Sequence, residues 1–368
     1  MALDFSKIGP WNKIKEVEVD GQKMVRIPKF YHGRITAPAG SQHEGKTLFV
    51  VSDIPREGLH VHPAFMWKGE ELPYFEYGAY EASNADDPNG TMYDSTGYSK
   101  ILTGHKACSL PNVHVWNRIY KEEATTACEA RNTGASGSEQ YGWHLHNIYE
   151  TSAIAILMLA EYGATNMQDI IGRGNVDQTW DASTNFGGLG ADKNVLTGAS
   201  DAVYRGIHEL WGNCWEHTDG AYTDTAGVLY ILSNKMDGTY VTTSYKGGSG
   251  GTATNSSTSG VAARHDGFMV ELSNATGTNY DLTDVFAPSV LGKEATEATF
   301  HDTSWYVPKN FYGTNERTTT NTERYRPQTN VYTHGSFNYG SVVGPFIWSV
   351  NSGSADANRG FRLARRPV

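Results

Sequence analysis

The chain has 368 residues, of which only 19% are charged, and it carries a formal net charge of −10 at pH 7. An acidic chain lacks the basic face that phosphate binding requires, so nucleic acid is not an expected partner. Its longest apolar run, Ala153–Ala160, is too short to span a bilayer, and residues 1–6 lack the basic and apolar regions of a signal peptide, so membrane insertion is not expected.

The first sixty residues alternate between polar and apolar side chains, which is typical of β-strands. Asp20 and Gly21 separate two such runs and predict a hairpin turn. Lys46–Ser52 predicts another strand, and residues 61–65 and 75–80 continue the β pattern. We treat residues 1–60 as a β-rich N-terminal section, with attachment or oligomerisation as its candidate role, and residues 61–368 as the main domain.

Two helices are predicted next. Apolar residues recur at intervals of three and four from Trp116 to Cys128, which indicates the first helix. The segment from Leu145 to Tyr162 predicts the second, which is the most hydrophobic, and Gly163 would end it. Residues 246–260 form a Gly/Ser/Thr stretch with no means of burying a core. Strands at both ends and helices between them predict a single α+β domain whose ends could pair.

The last forty residues place glycines around short apolar pieces, with Ser, Asn, Tyr and Trp between them. This composition is typical of surfaces that bind through rigid rings and adaptable hydrogen bonds. Phe337, Phe346 and Phe361 are predicted to be core rings of the terminal strands. The ligand-binding surface is predicted to lie at about residues 330–360. Its candidate residues, which are predicted to be exposed, are Tyr332, His334, Asn338, Tyr339, Ser341, Val343, Trp348, Asn351 and Ser354.

Three motifs occur in a fixed order: Gly212-Asn-Cys-Trp-Glu-His217, then a looser Thr333-His-Gly-Ser-Phe337, then Gly360-Phe-Arg-Leu363. In this order they resemble the formylglycine-generating-enzyme (sulfatase-modifying factor) branch of the C-type lectin fold. The resemblance implies an α+β, C-type lectin-like domain with two helices, short strands and long loops. It also implies a structural role for Gly212, Asn213, Trp215, Glu216, Gly360, Phe361 and Arg362.

Further phrases, among them Ile27–Tyr31 and Tyr204–Ile207, resemble tail and adhesin proteins of bacteriophages and prophages that use this fold, including retroelement-diversified variable proteins. The resemblance implies a virion structural protein of a tail fibre, tail tip or head fibre, made in the host cytoplasm. Its implied partners are a host cell-surface protein or glycan and other virion proteins. Phage adhesins are commonly homo-oligomers, and a trimer is our hypothesis because several weak sites multiply avidity.

Two other functions stay open: a virion decoration subunit without a receptor, and an oxidoreductase relative of the formylglycine-generating enzyme. The oxidase of that family uses a cysteine pair in its C-terminal part, whereas no cysteine follows Cys214 here, so we do not expect an enzyme. Cys108, Cys128 and Cys214 have neither disulfide nor zinc spacing and are expected to be buried free thiols.

Two His-x-His pairs, His60/His62 and His144/His146, are candidate metal ligands. On a strand this spacing would place both rings on one face, which the first pair could do, whereas the second pair is predicted to lie at a helix start, where positions i and i+2 diverge. Packed or hydrogen-bonded histidines are the commoner outcome. We expect no cofactor. The one option that the family resemblance leaves is a structural calcium ion held by acidic loops such as Asp86–Asp87 or Asp219–Asp224.

Overall fold

The computed structural model describes residues 4–36, 39–40, 44, 47–86, 105–132, 141–162, 167–177, 202–223, 228–246, 311–313, 329–337, 344–345, 348–351, 355 and 358–367. These residues form two α-helices and several small sheets, so the fold is mixed α+β, as predicted. The helices are α1 (Lys121–Glu129) and α2 (Ile148–Tyr162). Single 3-10 turns span Trp11–Lys13, Pro63–Phe65 and Ala130–Asn132.

The strands are short throughout. Those before α2 are β1 (Lys15–Val19), β2 (Gln22–Pro28), β3 (Tyr31–Thr36), β4 (Thr47–Ser52), β5 (His60–Val61), β6 (Met66–Trp67), β7 (Glu70–Glu71), β8 (Tyr74–Gly78), β9 (Ser83–Asn84), β10 (Ala107–Cys108) and β11 (Trp143–Leu145). Those after α2 are β12 (Trp215–Thr223), β13 (Val228–Leu232), β14 (Tyr240–Lys246), β15 (Phe311–Gly313), β16 (Thr329–Thr333), β17 (Trp348–Asn351), β18 (Arg359–Phe361) and β19 (Leu363–Arg365).

Strands from both ends of the chain lie in one antiparallel sheet, ordered β1-β2-β8-β19-β11. Asp20 and Gly21 join β1 to β2 with φ angles of 49° and 71°, which are the positive values that a two-residue hairpin turn of this type requires. The predicted hairpin is therefore confirmed. The N-terminal section shares this sheet with residues 61–368, while its role in attachment stays a prediction.

The predicted strand at Lys46–Ser52 is confirmed as β4. Residues 61–65 differ from the prediction, because β5 ends at Val61 and Pro63–Phe65 form a 3-10 turn. Pro63 has no N–H to donate to a sheet, and its fixed φ suits the first position of a helical turn. The ring Nδ1 of His62 accepts a hydrogen bond from the backbone N–H of Ala64 at 3.2 Å and caps that turn.

Helix α1 begins five residues later than the periodicity predicts. Arg118 has φ of 56°, which no right-handed helix accommodates, and Tyr120 is extended. The Glu123 carboxylate accepts the backbone N–H of Tyr120 at 3.0 Å, so the helix begins at Lys121. Trp116 therefore lies before the helix and reaches the core from an irregular segment.

Helix α2 matches its predicted hydrophobic character and its predicted last residue, Tyr162, but it begins at Ile148 because Leu145 belongs to β11. Every residue from Ile148 to Leu159 is buried, and the Trp11 indole N–H donates to the carbonyl of Leu157 at 3.2 Å. The helix contacts β12 and β4 and belongs to the main core cluster. Gly163 lies outside the described residues. No helix in the described part of the chain has both the length and the apolar character needed to cross a bilayer.

The second large sheet is ordered β14-β13-β12-β16-β17-β15, and β18 pairs with β12 in parallel. It contains β16 and β17, and therefore places three of the candidate ligand-binding residues, Tyr332, Trp348 and Asn351, within one sheet.

Candidate functional site

The first and last sequence motifs meet side by side on β12 and β18. Their parallel pairing aligns Trp215 with Arg359, Glu216 with Gly360 and His217 with Phe361. The Arg362 guanidinium binds the Glu216 carboxylate, with Nε and Nη2 at 2.8 Å and 2.7 Å from Oε1. Both side chains are buried. Two motifs that are far apart in sequence thus form one buried ionic unit.

Arg362 also donates hydrogen bonds to backbone carbonyls from other parts of the fold. Nη1 donates to Gly78 on β8 at 3.1 Å, and Nη2 donates to His208 and Glu209 at 3.1 Å and 3.0 Å. One planar group therefore links β12, β8 and the 208–209 segment. Such fork-like, multidentate binding is the property that distinguishes arginine from lysine.

Two histidines flank the second oxygen of Glu216. His334 Nδ1 lies 2.9 Å from Oε2, and His146 Nδ1 lies 3.5 Å from it. His146 Nε2 donates to the carbonyl of His217 at 2.9 Å, so its Nδ1 is left to accept from the Tyr77 hydroxyl at 2.6 Å. Burial lowers the pKa of His146 to about 4, which agrees with a neutral ring. Burial opposes ionisation of Glu216, but Arg362 and His334 outweigh it and lower the pKa of this carboxyl to about 2.

A second buried carboxyl, Glu81, lies against the same motif. The Asn213 side-chain amide and the backbone N–H of Cys214 donate to its two oxygens, the latter at 3.2 Å. Burial, and then the negative charge of Glu216, raise the pKa of Glu81 to about 8. Glu81 is therefore largely protonated and uncharged at neutral pH, in contrast to Glu216.

Thr333, His334 and Glu216 follow one another in the order of a nucleophile, a base and an orienting carboxylate. The Thr333 hydroxyl lies 3.4 Å from His334 Nδ1. The same ring nitrogen faces Glu216, however, and Thr333 and His334 are only 1% and 2% exposed. A catalytic nucleophile must be accessible to a substrate. It must also face one ring nitrogen of the histidine while the carboxylate faces the other. This arrangement is suited to holding the scaffold together.

Gly212, the first residue of the motif, has φ of +87°, and a Cβ there would lie 2.5 Å from the backbone oxygen of Asn175. Gly21 has a similar φ of +71°, with nothing within 4 Å of its Cβ position. Both alanine variants place a Cβ at a positive φ, which costs about 1–2 kcal/mol at either position. We expect Gly212→Ala to lose about 1–3 kcal/mol more than Gly21→Ala in urea unfolding, because backbone must move. Equal losses of unfolding free energy in the two variants would contradict the close approach of Gly212 to the backbone of Asn175.

The structure corrects the predicted exposure of Tyr332 and His334, which are only 1% and 2% exposed. The Tyr332 ring packs against His217, with centroids 4.7 Å apart, and beneath the Arg359 guanidinium at 4.8 Å. His334 is held by Glu216. Of the predicted core rings, Phe337 and Phe361 are buried, as expected, and Phe346 lies outside the described residues. So do the candidates Asn338, Tyr339, Ser341, Val343 and Ser354.

Two candidates, Trp348 and Asn351, are the ends of β17. The antiparallel register aligns Trp348 with Thr333 and Asn351 with Asn330 on β16. Because successive residues of a strand alternate between faces, positions 348 and 351 belong to opposite faces of the sheet. A ligand on one face of β17 can therefore meet only one of the two positions.

Three tyrosines that sequence reasoning missed lie on neighbouring strands: Tyr222 on β12, Tyr230 on β13 and Tyr240 on β14, here called the tyrosine row. Tyr222 and Tyr230 are directly paired, and their rings stack with centroids 4.9 Å apart at an interplanar angle of 8°. The Tyr240 ring lies 5.0 Å from that of Tyr222, at 57°. Tyr240 is 38% exposed and the other two are half-buried. Only the strand register, which the sequence does not display, brings them together.

In the first His-x-His pair, the rings of His60 and His62 both pack against the ring of His32, with centroids 4.6 Å and 4.8 Å from it. His62 follows β5 and caps the next turn, as described above. In the second pair, His144 binds Glu150 and the carbonyl of Gly142, both at 2.7 Å, and His146 is engaged by Tyr77 and His217. Among the described residues, no group of three or more His, Cys, Asp or Glu side chains is arranged to hold a metal ion.

Of the acidic residues suggested for calcium, Asp86 and Asp219 lie within the described residues. Asp219 lies within β12, and the ammonium of Lys121 is 3.1 Å from its carboxylate. A cation already neutralises that charge, so a divalent ion would have to displace it. Asp87 and Asp224 lie outside the described residues.

The three cysteines are free and buried, which confirms their prediction. Burial raises the pKa of Cys108 to about 11 and that of Cys214 well above its usual range. Thiols in such surroundings are poor nucleophiles.

Comparisons with known proteins found little similarity. No protein-family model matches the chain, and no curated protein matches it. A structural comparison aligns 100% of this chain with 85% of a chain named "Major Tropism Determinant U1 Variant", at 13% sequence identity and a TM-score of 0.30. A similarity at that TM-score carries no argument about fold or function.

Proposed function

We propose that this chain is a bacteriophage structural protein, of a tail fibre, tail tip or head fibre, that recognises a host cell-surface receptor. Recognition would use a C-type lectin-like domain of the formylglycine-generating-enzyme branch and no covalent chemistry. The virion is its proposed location, other virion proteins are its proposed neighbours, and a homotrimer would multiply the avidity of individually weak sites.

The observation that carries this proposal is the shared attachment of both ends of the recognition segment, residues 335–361, to one carboxylate. His334 precedes the segment and Arg362 follows it, and both bind the buried Glu216. Most of the candidate ligand-binding residues lie between these two anchors. A segment held at its base by a rigid core can change its exposed residues without unfolding the domain, as binding loops on rigid scaffolds do.

The proposal is tested by binding of the purified full chain to intact cells of a panel of bacterial strains. We expect saturable binding to at least one strain, and binding about tenfold weaker or worse for Tyr339→Ala/Asn351→Ala, with an unchanged melting temperature. Tyr141→Ala is the matched control, because Tyr141 is 44% exposed and precedes β11 in the other sheet. It should bind like the parent.

Two outcomes would count against this function. If the parent binds no strain, receptor recognition is wrong and the decoration-subunit alternative gains weight. If the parent binds but the double variant binds equally well, the receptor surface lies outside the recognition segment.

A further inference from the structure

We propose that residues 362–366, here called the closing segment, make folding of the whole scaffold conditional on a complete recognition segment. The closing segment consists of β19 and one residue on either side of it, and it directly follows the recognition segment in the chain. A chain in which it is missing or out of frame would therefore not fold. The proposal concerns assembly of the scaffold and does not depend on what the recognition segment binds.

β19 lies in the interior of the five-stranded sheet, between β8 and β11. Ala364 aligns with Tyr77 on β8 and with His144 on β11. β8 precedes α1 in the chain, whereas β11 leads into α2. Removing β19 would leave the facing edges of both strands without their backbone hydrogen-bond partners, so the two parts of the sheet would separate.

Three arginines of the closing segment each bind a buried carboxylate from a different element. Arg362 binds the carboxylate on β12, as described above. Arg365 Nη1 lies 2.6 Å from Glu76 on β8, and Arg366 Nη2 lies 3.3 Å from Glu150 on α2. All three carboxylates are at most 1% exposed. Two sheets and the central helix are therefore each joined to the closing segment by a buried ion pair.

Two of these carboxylates have further partners, and the closing segment adds a positive charge to both. Arg26 binds Oε1 of Glu76, whereas Arg365 binds Oε2. His144 lies 2.7 Å from Oε1 of Glu150, the oxygen that the closing segment also reaches. Because a guanidinium does not lose its proton in proteins, each arginine is a permanent cation for its carboxylate.

The apolar side chains of the closing segment are shared between two cores. Every residue of β19 is buried. Leu363 belongs to the cluster that contains Trp143 and Phe361, and Ala364 belongs to the main cluster around α2. Because neighbouring residues of a strand point to opposite faces, β19 completes the packing on both sides of the sheet.

All of these contributions depend on the same five residues, so they would be lost together. Removing one partner of a buried carboxylate already costs a large share of the marginal stability of a protein. The loss of three arginines and an interior strand would therefore leave no stable fold.

The elements that the closing segment completes are all synthesised before it. β8, α2 and β12 emerge first, because a chain is made from its N-terminal end. They reach their final arrangement only when residues 362–366 follow, and by then the recognition segment is complete and in frame. A stop or a frameshift within that segment would yield an unfolded chain that proteases remove.

The first test compares two chains that differ by the closing segment alone. One ends at Phe361, and the other ends at Arg366, so that it lacks only residues 367 and 368. We expect the longer chain to melt cooperatively and to resist protease as the full chain does. The shorter chain should be cleaved throughout, about a hundredfold faster or more. Equal protease resistance of the two chains would overturn the proposal.

The second test keeps the full chain and removes one charge at a time. Arg365→Met and Arg366→Met are compared with the parent by amide hydrogen exchange. We expect β8, α2 and β12 to exchange about a hundredfold faster or more in both variants, and by a common factor, because the scaffold opens as one unit. Lys23→Met is the control: Lys23 pairs with Glu18, both side chains are exposed, and exchange should match the parent.

Two exchange patterns would overturn the proposal. Faster exchange confined to β19 and β11 would show that the closing segment can leave a scaffold that stays folded. Faster exchange only in the element whose carboxylate lost its arginine would show that the ion pairs act locally. Neither measurement involves a receptor, so a parent that binds no bacterial strain would contradict host recognition and leave this proposal standing.

Discussion

Replacing Arg362 with methionine is expected to cost about 3–5 kcal/mol of unfolding free energy, the usual result of removing one partner of a buried ion pair. Methionine keeps much of the side-chain volume but leaves the buried Glu216 carboxylate without its cation. It also leaves the carbonyls of Gly78 and Glu209 without their donor. The loss is measured as a shift of the urea midpoint with an unchanged slope.

Arg359→Met is the matched control. Arg359 is half-buried on the neighbouring strand and packs over the Tyr332 ring at 4.8 Å. Its loss is expected to cost only about 0.5–1 kcal/mol, the usual range for a partly exposed cation on an aromatic ring. Similar losses for the two variants would show that Arg362 acts by packing and that its ion pair with Glu216 contributes little.

A second substitution separates charge from shape. In the background of Arg362→Met, the change Glu216→Gln removes the stranded charge, so the double variant should be more stable than Arg362→Met alone. Because His334 also binds Glu216, this pair of variants reports on both ends of the recognition segment. A double variant that is less stable than either single variant would contradict the assignment of the cost to an unpaired carboxylate.

Local sequence signals were sufficient to predict the elements that depend on neighbouring residues. The Asp20-Gly21 turn and the long apolar helix α2 depend on neighbouring residues and were predicted. The motif residues were placed together only through the family resemblance, since composition alone gives no reason for Glu216 to meet Arg362.

Predictions failed where distant parts of the chain decide the outcome. Tyr332 was predicted to bind a ligand, but Arg359 and His217 pack against its ring and bury it. His334 was also predicted to bind a ligand, but it is buried and held by Glu216. Helix α1 is shorter than the apolar periodicity predicts because Arg118 adopts a positive φ. The tyrosine row depends on the pairing of three strands, and a shift of one residue in register would separate its rings.

The stability of the protein is expected to pass through a maximum near pH 6.5, with Glu81 causing the decline on the alkaline side. Burial raises the pKa of Glu81 from 4.5 to about 8, so the folded state holds a proton that the unfolded state releases. Its contribution is fully present below pH 4.5 and is lost as the pH rises through about 8. The slope is at most about 1.4 kcal/mol per pH unit.

Two buried histidines have the opposite effect on the acidic side. Burial lowers the pKa of His146 from 6.5 to about 4 and that of His217 from 6.5 to about 3. Their contributions are present above pH 6.5 and are lost as the pH falls toward those values. Below pH 6.5, two histidines outweigh one carboxyl, so stability falls with acidification even though Glu81 gains.

The variant Glu81→Gln isolates the alkaline side, because glutamine resembles the protonated carboxyl in shape but cannot ionise. Its amide NH2 would face one of the two donors that Glu81 accepts from, Asn213 Nδ2 or the backbone N–H of Cys214, which costs about 1–3 kcal/mol at every pH. The diagnostic is therefore the pH profile: we expect its urea midpoint to stay level between pH 6.5 and 8 while that of the parent falls. Glu70→Gln, which changes an exposed carboxylate on β7, should keep the parent profile. An alkaline decline that persists in Glu81→Gln would mean that Glu81 is already ionised in the fold, and that Asn213 and Arg362 stabilise its charge against burial.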